Sequence, residues 1–192
     1  MSRVDAVHCA IGRFVVAFSH FHSTTELMVV HLLCPSGKEV DQKRAWAVIS
    51  GNTTQPIVDS LFSLCHEIKR HDWSDADFQV LTSVRKAIQG LINERNRIAH
   101  DVWSLGHPNR PLPEGSDAER VRFGRSPSKG AVVTDNPVTT EDLHVLTETA
   151  DHLRGIVRHI GAMVLSPSVG TPSQGLEVDA DGNVRIKESG EA

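Results

Sequence analysis

"LTSVRKAIQGLINERNRIAHDVW", residues 81–103, carries apolar side chains at Leu81, Val84, Ile88 and Leu91, a three-four spacing that predicts a helix with one buried face. With Leu81 set at zero and about 100° per residue, the apolar arc runs from Ala87 through Leu91, Ile88 and Ala99 to Ile92. Arg95 falls inside that arc, about 20° from Ile88 and about 40° from Leu91; Asn96 sits on its edge, and His100 lies about 40° beyond Asn96. A guanidinium directed into an apolar core is costly unless something pairs with it. Three environments meet that need: a carboxylate on another helix, for which Glu26, Glu67 and Asp59 are the candidates, a water-filled groove, or a phosphate-binding cleft between two subunits. In the first of these Arg95 is structural, and His100 simply favours the negative end of its helix.

The flanking sequence places this helix within a mainly helical chain. Val4, Val7, Ile11, Phe14, Phe18, Phe21, Met28 and Leu32 predict a long first helix, broken in its stripe only by Thr25 and ended by Pro35-Ser36-Gly37. A second helical region covers 44–70, interrupted at Gly51-Asn52 and restarted at Pro56. The helix of the opening stretch is expected to start at Ser74, with Asp75 and Asp77 near the positive end of its dipole. Thr139 with Asp142 three positions later resembles a capping box, and Leu143, Leu146, Ala150, Leu153, Val157, Ile160 and Val164 follow at threes and fours. That stripe suits a left-handed bundle or a second copy of the same helix.

Between these last two helices, residues 106–139 hold five prolines and four glycines and lack helical periodicity. Within them "RVRFGRSPSKGAVV", 120–133, is a hairpin candidate bearing Arg120, Arg122, Arg125 and Lys129, which are the predicted RNA-backbone contacts. Solvated loop charges are the competing account. From 166 to 192 a linker leads to "LEVDADGNVRIKE", a second hairpin signal around Asp181-Gly182. The expected architecture is therefore all-α, an up-down bundle of four to five helices over 1–165 with an irregular or β-hairpin insertion at 106–139, followed by a tail at 166–192.

A chain of 192 residues accommodates one such domain, and 39 % hydrophobic with 23 % charged residues is a globular balance. A net charge of -4 does not by itself advertise a polyanion partner, so any nucleic-acid contact must come from a local basic patch. Cys9, Cys34 and Cys65, odd in number and set among apolar residues, suit buried free thiols in a reducing compartment. Asp5, His8 and Arg13 interrupt the N-terminal apolar residues, and no stretch reads as ~20 apolar residues, so the expected location is the cytoplasm, away from membranes.

"RNRIAH", residues 95–100, resembles the Arg-x4-His motif of the HEPN superfamily (higher eukaryote and prokaryote nucleotide-binding domains), in which a polar residue, often asparagine, follows the arginine. The resemblance covers about residues 4 to 165 and includes the motif's position at the end of the third helix, with a long helix after it. It implies a homodimer whose two motifs face one cleft, and a metal-independent ribonuclease. His100 would be general base or acid, Arg95 would bind and stabilise the scissile phosphate, Asn96 would orient either group, and a cyclic 2′,3′-phosphate would be the product. It also suggests a toxin-antitoxin or defence setting, with an antitoxin or other protein partner. The branch partnered with a nucleotidyltransferase carries a tyrosine two residues after the histidine; here that position is Val102 and the chain contains no tyrosine. Some members are non-catalytic modules binding RNA, nucleotide or protein, and that is the alternative reading.

Arg95 and His100 are about 140° apart on a regular helix, which a two-fold cleft or unwinding of the helix end would relieve. Glu26 and Trp103 are supporting residues, one as a carboxylate for Arg95 and the other three positions beyond His100. Eleven histidines do not build a metal site: "HEIKRH", 66–71, has one residue too many between Glu67 and His71 for the zinc-protease pattern, and His20 and His22 face apart. "DADGN" lacks the later ligands of a calcium loop. Neither metal nor cofactor is expected.

Overall fold

The computed structural model describes residues 2–106, 109, 111–126 and 130–187. It is 67 % helical with a small antiparallel sheet, which makes the chain mainly α. The helices are α1 (Arg3–Leu33), α2 (Glu39–Ile49), α3 (Thr54–Lys69), α4 (Asp75–His100), α5 (Thr140–Leu165) and the short α6 (Pro172–Gly175). The strands are β1 (Val102–Ser104), β2 (Ala118–Ser126), β3 (Gly130–Val138), β4 (Leu176–Val178) and β5 (Val184–Ile186). The chain divides into two compact units, one of Met1–Phe18 with Asn93–Ala150, the other of Ser19–Ile92 with Asp151–Ala192.

In the first unit, Val7, Ala10, Phe14 and Phe18 of α1 are buried, as are Ile98, Ala118, Val121, Val138 and Leu143. The sheet runs β1-β2-β3, with Trp103 opposite Arg120 and Phe123 opposite Val133. Because β1 pairs only with 119–121, β2 and β3 continue past it as a two-stranded ribbon. Pro137, which cannot donate to a ladder, lies in the edge strand β3. Side chains tie the sheet to its surroundings: Trp103 Nε1 donates to the Ile98 carbonyl at 3.0 Å, and Arg3 Nη2 to the Leu105 carbonyl at 3.1 Å. The expected capping box closes the start of α5, Thr139 N and Oγ1 each donating to Asp142 Oδ2 at 2.8 Å. Asp117 adds a second cap, accepting from Thr140 N at 2.8 Å and Oγ1 at 3.0 Å, and those two hydrogen bonds hold its carboxyl below the usual carboxylate range.

The second unit is built on Phe21, Val29 and Val30 of α1, Ile57, Leu61 and Cys65 of α3, Val84 and Ile88 of α4, and Ile156, Ile160 and Met163 of α5. Thr25, which interrupted the apolar stripe, is fully buried and donates to the Phe21 carbonyl at 2.9 Å, so its polar atom is satisfied within its own helix. The stretch 44–70 forms two helices separated at 50–53, as the Gly51-Asn52 signal suggested, and Gly51 takes φ 88° there.

The tail forms the expected β4–β5 hairpin, with Gly182 at φ 85°. Asp77, in the first turn of α4, anchors the segment before that hairpin: Oδ2 accepts from Ser74 N and Oγ, and Oδ1 accepts from Ser173 N at 2.9 Å and Oγ at 2.7 Å. Burial alone would raise the Asp77 carboxyl, but the hydrogen bonds from Ser173, Thr171 and Ser74 outweigh it and hold the group well below the usual range. His152 Nε2 meets the Val184 carbonyl at 2.6 Å, which fixes the proton on that nitrogen.

Two expectations about single elements change. Cys9 is exposed on α1, while Cys34 and Cys65 are buried, and burial pushes the Cys65 thiol up to about 12. The helix α1 is long and apolar enough by length and composition to cross a membrane, with a mean hydropathy of 1.2 over its best window, although the sequence reading found no such stretch. A third of that window is buried: Phe14, Phe21 and Val29 of α1 are buried, while Val15, Val16 and Leu27 are exposed.

Candidate functional site

The end of α4 in the first unit holds the motif, and its geometry corrects the wheel. Arg95, Asn96, Ala99 and His100 are all exposed, although Arg95 and Ala99 share the meridian that is buried at Ile88. The periodicity assumed a neighbour covering α4 along its whole length; instead burial passes to Ile98, 5 % exposed, on the flank of the arc. Arg95 therefore needs no buried carboxylate. Its Cζ lies 5.7 Å from the centroid of the Phe18 ring, and Nη1 donates to Asn96 Oδ1 at 3.3 Å. The ring face attracts the cation and the amide restricts its rotation.

Among the described residues of its own unit, no carboxylate lies within ion-pair distance of Arg95. The carboxylates considered for it have other roles or none: Glu26 lies 3.6 Å from His22 Nε2, Asp59 pairs with Arg85 at 2.7 Å, and Glu67 is exposed on α3.

His100 is the last residue of α4, exposed, and the helix does not unwind before it. On one chain Arg95 and His100 consequently diverge by about 140°. Arg95 and Asn96 together present a fork of donors with an adjacent amide, able to take a phosphate bidentately, while the imidazole stands on a separate flank.

The residues on either side of the motif were missed by the sequence reading and hold the sheet against it. Glu94 accepts from Arg97 Nη1 through one oxygen and from Arg120 Nη1 through the other, at 3.1 Å. Asp101 lies 3.9 Å from Arg122 Nε, its side chain nearly buried. Acidic residues immediately flanking an Arg-x4-His motif were the available signal, and the basic strand supplies their partners.

Arg120, expected to face an RNA backbone, is turned toward the protein instead. Its side chain is 15 % exposed, its charge meets Glu94, and its Nε is buried without a hydrogen-bond partner. It lines a cleft of about 400 Å³ with Glu94, Ile98, Val138 and Leu143. Arg122 is largely exposed, Arg125 is placed in β2, and Lys129 lies outside the described residues. Trp103 is half-buried and spends its indole N–H on the Ile98 carbonyl, which makes it an anchor of β1.

In the second unit the histidines are used singly: His66 packs on Phe78 with ring centroids 4.7 Å apart, and His22 Nδ1 meets Thr54 Oγ1 at 3.0 Å. Among the described residues no three histidine, cysteine or acidic side chains gather in a metal-holding group. Comparison with family models, with curated proteins and with solved structures gave no match.

Proposed function

We propose that the chain is a HEPN-like, metal-independent endoribonuclease of the cytoplasm, acting as a homodimer through Arg95, Asn96 and His100. The observation that carries this reading is the unneutralised Arg95 cation, exposed beside Asn96 and resting on Phe18, one turn before an exposed His100. A guanidinium kept for structure would be expected to face a carboxylate, as Arg120 does. The exposed Val15 and Val16, beside Phe18 on α1, offer apolar surface for a second copy. Two copies related by a two-fold axis would bring one chain's imidazole to the other's guanidinium, which the 140° divergence requires.

In that cleft His100 takes the proton of a ribose 2′-hydroxyl, and the 2′-oxygen attacks the adjacent phosphorus. Arg95 stabilises charge developing on the non-bridging oxygens, and Asn96 holds the guanidinium in place. The bond from phosphorus to the 5′-oxygen breaks, that oxygen takes a proton from the second copy's imidazolium, and the products end in a 2′,3′-cyclic phosphate and a 5′-hydroxyl. A toxin or defence setting, with an antitoxin partner, accords with the resemblance.

The test is incubation of wild type, Arg95→Ala and His100→Ala with single-stranded and structured RNA in excess EDTA, reading product ends. Cleavage to cyclic phosphate by wild type, with both variants reduced at least about a hundredfold, is expected. Equal cleavage by all three, or none by wild type, refutes the nuclease. The continuous helix through His100 favours a second reading if the chain is monomeric: a module that binds RNA, nucleotide or a protein partner without cutting. Sedimentation equilibrium decides the oligomeric state on which the two readings differ.

A further inference from the structure

His100 closes α4, and the end of a helix is where it opens most easily, because the last four carbonyls have no partner within the helix. A side chain that is to take a proton from a hydroxyl at a fixed place needs that last turn held. The residues just beyond His100 hold it. Asp101 N donates to the Arg97 carbonyl at 2.9 Å and Trp103 Nε1 to the Ile98 carbonyl at 3.0 Å. The strand β1 begins two residues after His100 and is fixed to β2, with Val102 opposite Val121.

Asp101 is an unfavourable residue for local structure alone. Its side chain is 6 % exposed, and among the described residues its carboxylate accepts no hydrogen bond. It also follows directly on the negative end of the α4 dipole, where an anion is disfavoured. A carboxylate taken out of water without a donor costs stability, so an amide or an apolar side chain would join α4 to β1 better. What the anion does is draw in Arg122 of β2, whose Nε stands 3.9 Å away. Arg120, two residues earlier on the same face of β2, meets Glu94, seven residues before Asp101, so one strand face grips the end of α4 at both places. We propose that Asp101 is a positioning residue of the site: with Arg122 and Trp103 it clasps the last turn of α4 to the sheet and fixes where the His100 imidazole is carried. Asp101 touches no reacting atom and acts through His100. Arg95 lies more than a turn earlier, on Phe18, and does not depend on the clasp. The inference rests on the reading of His100 as the group that moves the proton, and it adds to that reading what holds the group in place.

The experiment reads the clasp and the reaction separately. Amide hydrogen exchange of the full chain is followed by NMR in wild type, Asp101→Asn, Asp101→Glu and Arg122→Gln, and cleavage of RNA in EDTA is measured with the same four proteins. Asp101→Asn and Arg122→Gln are expected to speed exchange at Ala99, His100 and Asp101 (or its replacement) about tenfold and to leave Val84 and Ile88 unchanged. Asp101→Glu keeps the anion and should keep the protection. In cleavage, Asp101→Asn should lower kcat about tenfold with KM within about twofold, because Arg95 still holds the phosphate, and Asp101→Glu should restore kcat. Protection lost at Val84 and Ile88 as well would mean that Asp101→Asn disturbs the whole fold; Arg122→Gln, at a side chain 60 % exposed, then decides. Wild-type exchange at 99–101 in Arg122→Gln and Asp101→Asn overturns the clasp whether or not the protein cuts RNA. Faster exchange with kcat unchanged overturns the positioning role. Faster exchange in a protein that does not cut RNA leaves the clasp standing and removes only the nuclease.

Discussion

Replacing Glu94 by glutamine tests whether the motif helix and the sheet are held together by charge. The change keeps the side chain's shape but removes the negative partner of Arg120, whose Nη1 lies 3.1 Å from Glu94 Oε2 and whose Nε already lacks a hydrogen-bond partner. Arg120 is 15 % exposed and Glu94 26 %, so the pair lies between a surface bridge, worth about 0–1 kcal/mol, and a buried one, where removing a partner costs about 3–5 kcal/mol. The second bridge, Glu94 to Arg97, is nearly half exposed on its arginine side and adds little. The expected loss is about 2 kcal/mol, which for a chain of this size lowers the melting temperature by about 4–8 °C. Urea denaturation followed by tryptophan fluorescence reads it, since Trp103 lies opposite Arg120 in the sheet. Glu94→Met with Arg120→Met should recover most of the loss, because the pair then leaves no charge unpaired beside the apolar Ile98 and Leu143. A loss below about 0.5 kcal/mol in Glu94→Gln, or a double variant no better than the single, would refute the reasoning.

Other outcomes follow from the same structure. Asp77 has its carboxyl lowered by folding, so its contribution to stability is complete above the unfolded value near 3.8 and is lost as the pH falls through the lower folded value. Asp77→Asn should therefore be less stable than wild type near neutrality, with the difference shrinking between about pH 5 and pH 2; a gap that stays constant contradicts the linkage. Limited proteolysis of Asp77→Ala should cut within 166–187 faster than wild type, because Ser173 loses both of its hydrogen bonds to α4. Iodoacetamide on the native protein should label Cys9 first and leave Cys65 unmodified until denaturant is added, since burial pushes the Cys65 thiol up to about 12; mass spectrometry of peptides reads the order.

Helices α4 and α5 were legible because their apolar positions repeat at three and four over many turns, and the Ser74 and Thr139 caps mark their starts chemically. The ribbon and the tail hairpin were legible through turn residues, since Gly182 adopts a backbone conformation that favours glycine. Arg95 was misplaced for a specific reason: a wheel gives the angle of a side chain about its axis and says nothing of whether a neighbour covers that angle at that height. The pairing of Arg120 was not legible because a run of basic residues does not reveal which of them meets a carboxylate.

By itself the sequence determined the helical periods, the breaks at 34–38 and 50–53, the two hairpins, and the short Arg-x4-His pattern at 95–100, because each depends on local geometry and on residues close in the chain. Only the tertiary structure decided that Arg95 lies in solvent on Phe18, that Glu94 and Arg120 neutralise each other across 26 residues, and that Phe123 projects uncovered. Burial and charge pairing depend on which distant segments come into contact, and a one-dimensional pattern does not specify that contact.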